Sequence, residues 1–268
     1  MKRVHTFEFE DAPWFPAWLR SDMTDLIVVV NRVSGATRTI TGLVGRVLRS
    51  AGLRNIVDIG SGSGGAMPEV VDVLRKQDDL SDVTLLMTDL YPNPDAIQRF
   101  NAGTNGHLRY HQQPVDATDL AHAPPGLKTM INSFHHMRPA VARQILASAS
   151  AEKQPLLIYE LADNRAPFLG WCVGLTFGLP LVTLMAMVLT PFARPLTLRR
   201  LFFTYVIPVI PPLFAWDGQA SYPRMYTFED LDELLEGLDV EGYRWEKGYA
   251  RDDDGRGLGT YLLGLPTR

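Results

Sequence analysis

Residues 55–65 read NIVDIGSGSGG, a short apolar run with an acid inside it, followed by a turn carrying four glycines in six residues. Ile56, Val57 and Ile59 suit a buried strand, and the glycines end it abruptly. Beyond the turn, Met67, Val70, Val71 and Leu74 recur at helical spacing, with Pro68 in the first turn, where its missing N–H costs nothing. A glycine turn between a buried strand and a helix lets a ligand approach the backbone closely and presents it with unpaired helix N–H groups. The spacing Gly60-x-Gly62-x-Gly64-Gly65 differs from the G-x-G-x-x-G of dinucleotide binders and lacks the Lys-Ser/Thr of a phosphate loop. Asp58 sits inside the strand. A carboxylate at that depth is costly unless paired, and a cationic amino-acid ligand would pair it.

Outward from this stretch the chain alternates strands and helices. Apolar strand-like runs occupy residues 83–89 (VTLLMTD), 108–113, 128–134 (KTMINSF) and 155–161 (PLLIYEL). Helical patterns lie between them at 95–101 and 139–149. That rhythm indicates βαβ units and a parallel sheet. The C-terminus departs from it. Thr227 and Asp230 form a capping-box start for LDELLEGL, and two strands at 242–250 and 258–265 flank the turn DDDGRG as an antiparallel hairpin. Residues 1–50 read as a helical cap with an aromatic cluster that includes Trp14, Phe15 and Trp18. Residues 165–225 read as an apolar helical insertion, so the expected α/β domain comprises 51–164 and 226–268.

Two further acids stand where a nucleoside needs them. Asp89 closes the second strand, where a carboxylate accepts hydrogen bonds from ribose hydroxyls and repels a 2′-phosphate. Asp116, in PVDA after the third strand, stands where an adenine amino group could be met. The glycine turn alone also fits a tight turn without a ligand; the two acids weigh against that. On VDIGSGSGG, MTDLYPN, PVDAT and INSFHHM, in that order, the chain resembles the class I S-adenosylmethionine-dependent methyltransferases over residues 50–165 and the final hairpin. The resemblance implies a Rossmann-like, mostly parallel seven-stranded sheet and S-adenosyl-L-methionine as cofactor. By the same resemblance Asp58, Gly60, Ser61, Gly62 and Gly64 hold the methionine portion. Asp89 and Leu90 hold the ribose and flank the adenine, and Asp116 and Ala117 contact the adenine edge.

Ligands of open α/β sheets bind at the carboxyl ends of the strands. The fourth strand ends at SFHHM, so His135 and His136 are expected beside the reacting methyl group, where an imidazole can take a proton from a hydroxyl. The alternative is that the pair only packs the cofactor. No metal is expected, since neighbouring residues rarely aim at one ion and no third ligand suggests itself. Tyr159 and Glu160 end the fifth strand and are expected to face the crevice, Glu160 binding a substrate amine or hydroxyl or standing as a solvated acid. Trp216, Asp217, Tyr222, Arg224 and Tyr226 fall within a dozen residues, as a substrate lid or as a loop fixed by an Asp217–Arg224 pair. Trp14 and Trp18 would close over the site.

Composition narrows the partners. With 26 Lys and Arg against 30 Asp and Glu the net charge is −4, so no global basic field attracts nucleic acid. The single cysteine, Cys172, excludes an internal disulfide and a thiolate metal cage. The N-terminal residues lack the apolar core of a secretory signal, so a cytoplasmic location is expected. No charged residue occurs between Arg165 and Arg194, a run long enough to span a bilayer. Gly170, Gly174 and Gly178 within it follow the close-packing pattern of membrane helix pairs, whereas Pro180 and Pro191 interrupt it. A lipophilic substrate chamber, a homodimer face and peripheral membrane-surface contact all remain open for this insertion. The expected activity is methylation of a hydrophobic small molecule at oxygen, with carbon and nitrogen as alternatives. The rivals are a non-catalytic cofactor-fold scaffold, a membrane-associated binding protein and a repurposed S-adenosylmethionine-dependent cyclase.

Overall fold

The computed structural model describes residues 1–103, 106–164, 167–252 and 254–267. The first two residues of the apolar insertion and Asp253 of the hairpin turn lie outside the described residues. A seven-stranded sheet runs in the order β3-β2-β1-β4-β5-β7-β6. Five strands are parallel: β1 (Asn55–Ile59), β2 (Thr84–Thr88), β3 (Leu108–Tyr110), β4 (Leu127–Ile131) and β5 (Leu156–Glu160). β7 (Thr260–Pro266) lies antiparallel between β5 and β6 (Tyr243–Tyr249), so the terminal hairpin closes one edge of the sheet. β1 and β4 are adjacent while β2 and β3 wind the other way. The order therefore reverses at β1, the position at which open α/β sheets form their ligand crevice.

Strand alternation sends successive side chains to opposite helical layers. Leu157 and Tyr159 pack with α2 (Ala36–Ala51) and α3 (Met67–Leu74), while Leu156 and Ile158 pack with α5 (Pro139–Ala151) and α9 (Phe228–Leu235). The capping box that starts α9 is formed, with Thr227 and Asp230 bonding reciprocally. α4 (Pro94–Asn101) lies in the first layer through Ala96, its first turn capped by the Asn93 side chain.

Two boundaries differ from the sequence expectation. α2 lies within residues 1–50, yet Ile40, Leu43, Val44, Val47 and Leu48 belong to the sheet's own core. Its strongly one-sided apolar stripe has the sheet for a partner, and only α1 (Ala17–Ser34) remains as a cap. The stretch expected as a lid or fixed loop around Trp216 is helical: α8 (Ile210–Arg224) runs through it. It packs against α6 (Phe168–Leu189), and the two are joined by the short α7 (Leu198–Leu201) and a π-helical turn at Phe202–Val206.

Cap and insertion share a third core. Phe15, Leu19, Met23, Leu26 and Val29 meet Ala186, Ala193, Ile210 and Phe214. A buried ion pair fixes this junction: Arg200 Nε and Nη2 donate to Asp22 Oδ1 (3.1 and 2.8 Å), and Nη2 also bonds Asp25. Removing one partner of such a pair leaves a charge buried and uncompensated, which costs about 3–5 kcal/mol. Arg199, 3.4 Å from Asp22, compensates only in part. Arg200→Met is therefore expected to lower unfolding stability by roughly 3 kcal/mol in a urea titration. A loss below about 1 kcal/mol would show that Arg199 takes over the site.

Candidate functional site

The glycine turn is pinned to three strand ends through Asp58. Asp58 lies beside Met87 of β2 and Thr129 of β4 in the sheet register, and both of its oxygens are taken by hydroxyls. Ser61 Oγ donates to Oδ2 (2.6 Å) and Thr129 Oγ1 to Oδ1 (2.7 Å). Burial raises its pKa to about 6 although both hydroxyls oppose the rise. The carboxylate that the sequence left to a cationic ligand thus has both oxygens held by protein hydroxyls, which leave its negative charge uncompensated. Ser61 N–H continues the turn by donating to Thr88 O (3.0 Å), and Tyr110 OH donates to Gly62 O (2.8 Å).

Glycine is required at two positions here. Gly62 has φ 53° with open space around it, and its N–H donates to Asp89 Oδ2 (2.9 Å). Gly64 has φ 119°, and a Cβ there would stand 2.7 Å from the Phe100 ring. Asp89 Oδ1 accepts from Tyr91 N–H (2.8 Å), so its carboxylate is aimed along the turn at the end of β2. Leu90 is exposed beside it. Asp116 is exposed and turns its own loop by accepting from Thr118 N and Oγ1 (2.8 and 2.7 Å); Ala117 packs against the second core. The structure brings Asp58, Gly60, Ser61, Gly62, Gly64 and Asp89 together, with Leu90 next to Asp89 and Asp116 in the loop that follows β3.

Two hydroxyls at this turn carry a signal that sequence reasoning missed. Ser63 Oγ and Ser133 Oγ are buried without a hydrogen-bond partner among the described residues, and Ser133 Oγ lies 3.7 Å from where a Cβ on Gly60 would stand. Buried polar groups are nearly always satisfied, so a pair of orphans beside an open glycine turn marks a place for a polar ligand. Ser133 falls in the INSFHHM stretch but was not singled out. Next to it, Asn132 adopts a left-handed backbone (φ 54°) and ties β4 to β5, its Oδ1 accepting Leu161 N–H (2.8 Å).

The two histidines have different surroundings. His135 N–H donates to Glu160 Oε1 (2.9 Å) and its Nδ1–H to Oε2 (2.8 Å), both residues buried. Glu160 is therefore neither a solvated acid nor free to bind a substrate amine; both its oxygens hold one histidine. With Nδ1 donating, the lone pair of His135 sits on Nε2. The His136 ring lies against it, 4.2 Å between centroids, and its Nδ1–H donates to Asp11 Oδ1 (2.8 Å).

The N-terminal segment is a strap across this point. Arg3 Nη2 donates to His135 O (2.7 Å), and Thr6 Oγ1 to Ala220 O (2.5 Å). Phe9 N–H and Glu10 N–H donate to Asp217 (2.8 and 3.0 Å). Fully buried Arg224 meets Glu8 (2.7 Å) and Asp11 (2.6 Å). The expected Asp217–Arg224 pair is thus replaced by two separate attachments to the strap. Burial works against ionised Asp11, but the His136 and Arg224 donors outweigh it and hold its pKa below the ordinary value. Glu8, raised above the usual range chiefly by burial, is the third donor not foreseen from sequence: it joins His135 and His136 in a group whose ligand atoms lie within 4.8 Å of one another. Arg224 already neutralises it, and Asp11 occupies His136 Nδ1.

The expected substrate residues mostly serve packing. Tyr159 is buried on the α2–α3 face, its hydroxyl donating to Leu258 O (2.7 Å). Trp216 Nε1 donates to Phe7 O (3.0 Å), and Trp18 stacks on Phe203 beneath Arg199. Trp14 is 68% exposed on the strap's aromatic cluster. A cavity of about 520 Å³ opens instead past the end of β5, its wall including Leu161, Ala162, Tyr222, Tyr249, Leu258 and Gly259 together with the charged Asp163 and Arg251. The β6–β7 turn supplies much of its wall, a contribution that separation in sequence conceals.

No family model and no curated protein matches the sequence. Solved structures do match the fold. The plantazolicin methyltransferase BpumL in complex with SAH aligns over 97% of this chain and 93% of its own, with TM-score 0.55 and 12% identity. Its complex with a monoazolic desmethylPZN analogue and SAH aligns over 90% and 85%, with TM-score 0.52 and 12% identity. With the strand order and the reversed terminal hairpin, these matches establish that the chain has the fold of the class I S-adenosylmethionine-dependent methyltransferases.

Proposed function

We propose that the chain is an S-adenosylmethionine-dependent methyltransferase acting on an oxygen of a hydrophobic small molecule, with His135 as the base. The observation that carries this reading is the Glu160–His135 pair at the end of β4 and β5, one strand from the glycine turn. The two complexes described above are of a methyltransferase holding SAH, and the residues of this turn suit such a ligand. Gly60 and Gly62 leave the backbone open, Ser63 and Ser133 have hydroxyls to offer, and Asp89 faces the turn where ribose hydroxyls would donate. When bound, the cofactor supplies an electrophilic methyl group on a sulfonium.

The protein's share is alignment and a proton path. Glu160 fixes the His135 ring and keeps the proton on Nδ1, so Nε2 can accept the proton that an acceptor hydroxyl loses as its oxygen takes the methyl group. His136, bonded to Asp11, holds the strap over the crevice and excludes water. The largely apolar wall of the 520 Å³ cavity suits a hydrophobic acceptor, and its volume lies within the range of small-molecule sites.

Three outcomes test this. His135→Ala should cut kcat by roughly 100- to 10,000-fold with cofactor affinity unchanged, while His136→Ala retains most of its turnover; equal turnover by wild type and His135→Ala would remove the base from this site. Asp89→Ala should weaken S-adenosylmethionine binding in calorimetry by about tenfold or more, since ionised acceptors contribute roughly 1.5–3 kcal/mol per hydrogen bond. Unchanged affinity would refute the ribose role. A third outcome concerns pH. The sulfonium is positive, so it favours ionised Asp58, whose pKa is raised to about 6. Affinity should be greatest above pH 6 and should fall as the pH drops below it, by up to about tenfold per unit as Asp58 takes up its proton. Asp58→Asn should flatten that slope.

A further inference from the structure

α6 is built the wrong way round for a helix facing water. Leu169, Val173, Phe177, Leu181, Leu184 and Val188 follow one another at helical spacing, and all are exposed, Phe177 to 79%. The other side is where the helix packs: Trp171 Nε1 donates to Gln219 O of α8 (2.8 Å), Gly178 lies against the Gln219 side chain, and Ala186 enters the third core. A surface helix normally turns its charged stripe outward. Here the outward stripe is aliphatic and aromatic along the whole element. It continues past the helix through Phe192 and Leu198, the latter 85% exposed, to Val206 and Ile207. Contiguous apolar surface on this scale marks an interaction site.

We propose that this face lays the protein onto a bilayer containing anionic lipid, with α6 parallel to the membrane surface. The charges favour this occupant. Between Asp163 and Asp217 the sequence contains no carboxylate, and among the described residues of that stretch the exposed charged side chains are Arg194 and Arg199. Arg199 also lies over Trp18, which holds its stem against the apolar surface, and 3.4 Å from Asp22, whose charge is already taken by buried Arg200. In a two-fold dimer the same surface meets itself, and the stretch from Asn164 to Trp216 carries no acid to meet a partner's arginines; Asp22, which Arg199 faces, is buried and already held by Arg200. Anionic headgroups do answer them, and the acyl boundary takes the apolar stripe.

The helix is long and apolar enough to cross a membrane, at 22 residues or about 33 Å. Its attachments place it on the surface instead. One side is occupied by α8, which carries Asp217 at its middle and ends at Arg224, both fastened to the strap beside His135. α7 and α8 themselves meet at a bend of 83° rather than forming a straight span. The docking face is independent of methyl transfer, so its test needs no turnover.

The test is flotation of the full chain, purified without detergent, with vesicles of phosphatidylcholine alone and of phosphatidylcholine with phosphatidylglycerol. The protein should float with the mixed vesicles, less with phosphatidylcholine alone, and less as salt is added. Phe177→Asp with Leu181→Asp, both at exposed positions, should reduce the bound fraction at least tenfold while circular dichroism and the thermal transition stay unchanged. Absence of the wild type from both vesicle fractions would overturn the proposal, as would flotation of the folded double variant at the wild-type level. Light scattering that finds a dimer which the double substitution dissociates, with no vesicle binding by either form, would assign the face to a second copy.

Discussion

Asp58 places a carboxylate between two parallel strands, where solvent cannot reach it, and the geometry of the crevice follows from how that burial is compensated. The register sets Thr129 beside it on β4, and the glycine turn folds back so that Ser61 supplies the second hydroxyl. Once Ser61 is held there, its N–H meets Thr88 O and the next residue, Gly62, presents its N–H to Asp89. One buried acid therefore fixes the turn, the turn fixes the aim of the second acid, and the strand ends on either side of β1 are locked at the point where the sheet order reverses. Replacing the hydroxyls by apolar groups would leave a desolvated charge, so Ser61 and Thr129 are as much a part of this device as the glycines.

Cap and strap attach to the sheet by different physics. α1 is held by apolar burial against α6 and α8, with the Arg200 pair inside the same junction. Residues 3–11 are held almost wholly by directed polar contacts, to His135 O, Ala220 O, Asp217 and Arg224. Apolar burial is non-directional and tolerates small shifts, whereas a set of charge-assisted bonds is strong only in one geometry. The segment over His135 is thus specified closely in position by directed bonds, with apolar burial confined to its Phe9 end.

How much of this was legible in the sequence depended on the range of the interactions. β1 and α3 follow from local chemistry, a glycine turn after an apolar run and Pro68 in a first turn, and the Thr227–Asp230 box marks α9 within four residues. The terminal hairpin is legible for the same reason. Asp89 was placed correctly at the end of β2 because a strand end is a local event, whereas β3 ends at Tyr110, short of the expected 108–113, and leaves Asp116 in the loop beyond it. Partners of side chains were not legible. Asp217 and Arg224 are seven residues apart and oppositely charged, yet on α8 they bond different parts of the strap, more than 200 residues away in sequence. Glu160 could be read from sequence either as binding a substrate amine or hydroxyl or as a solvated strand-end acid; only the fold shows that the turn at Phe134–His136 drops His135 onto it. α2 was assigned to a cap because a helix's apolar stripe says that it packs, and not on what.

α8 is where these separate devices meet. Its backbone accepts from Trp171 on one side and from Thr6 on the other, through Gln219 O and Ala220 O, successive carbonyls of one helix. Its early residues, Ile210 and Phe214, lie in the core shared with the cap, and its last, Arg224, lies between Glu8 and Asp11. A helix turns by about 100° per residue, so neighbouring carbonyls can serve partners on different faces. The apolar α6 and the polar strap are therefore not independent decorations of the sheet. They are fastened to one helix, whose successive carbonyls fix the packing of α6 and the seat of the strap over His135 in a single frame.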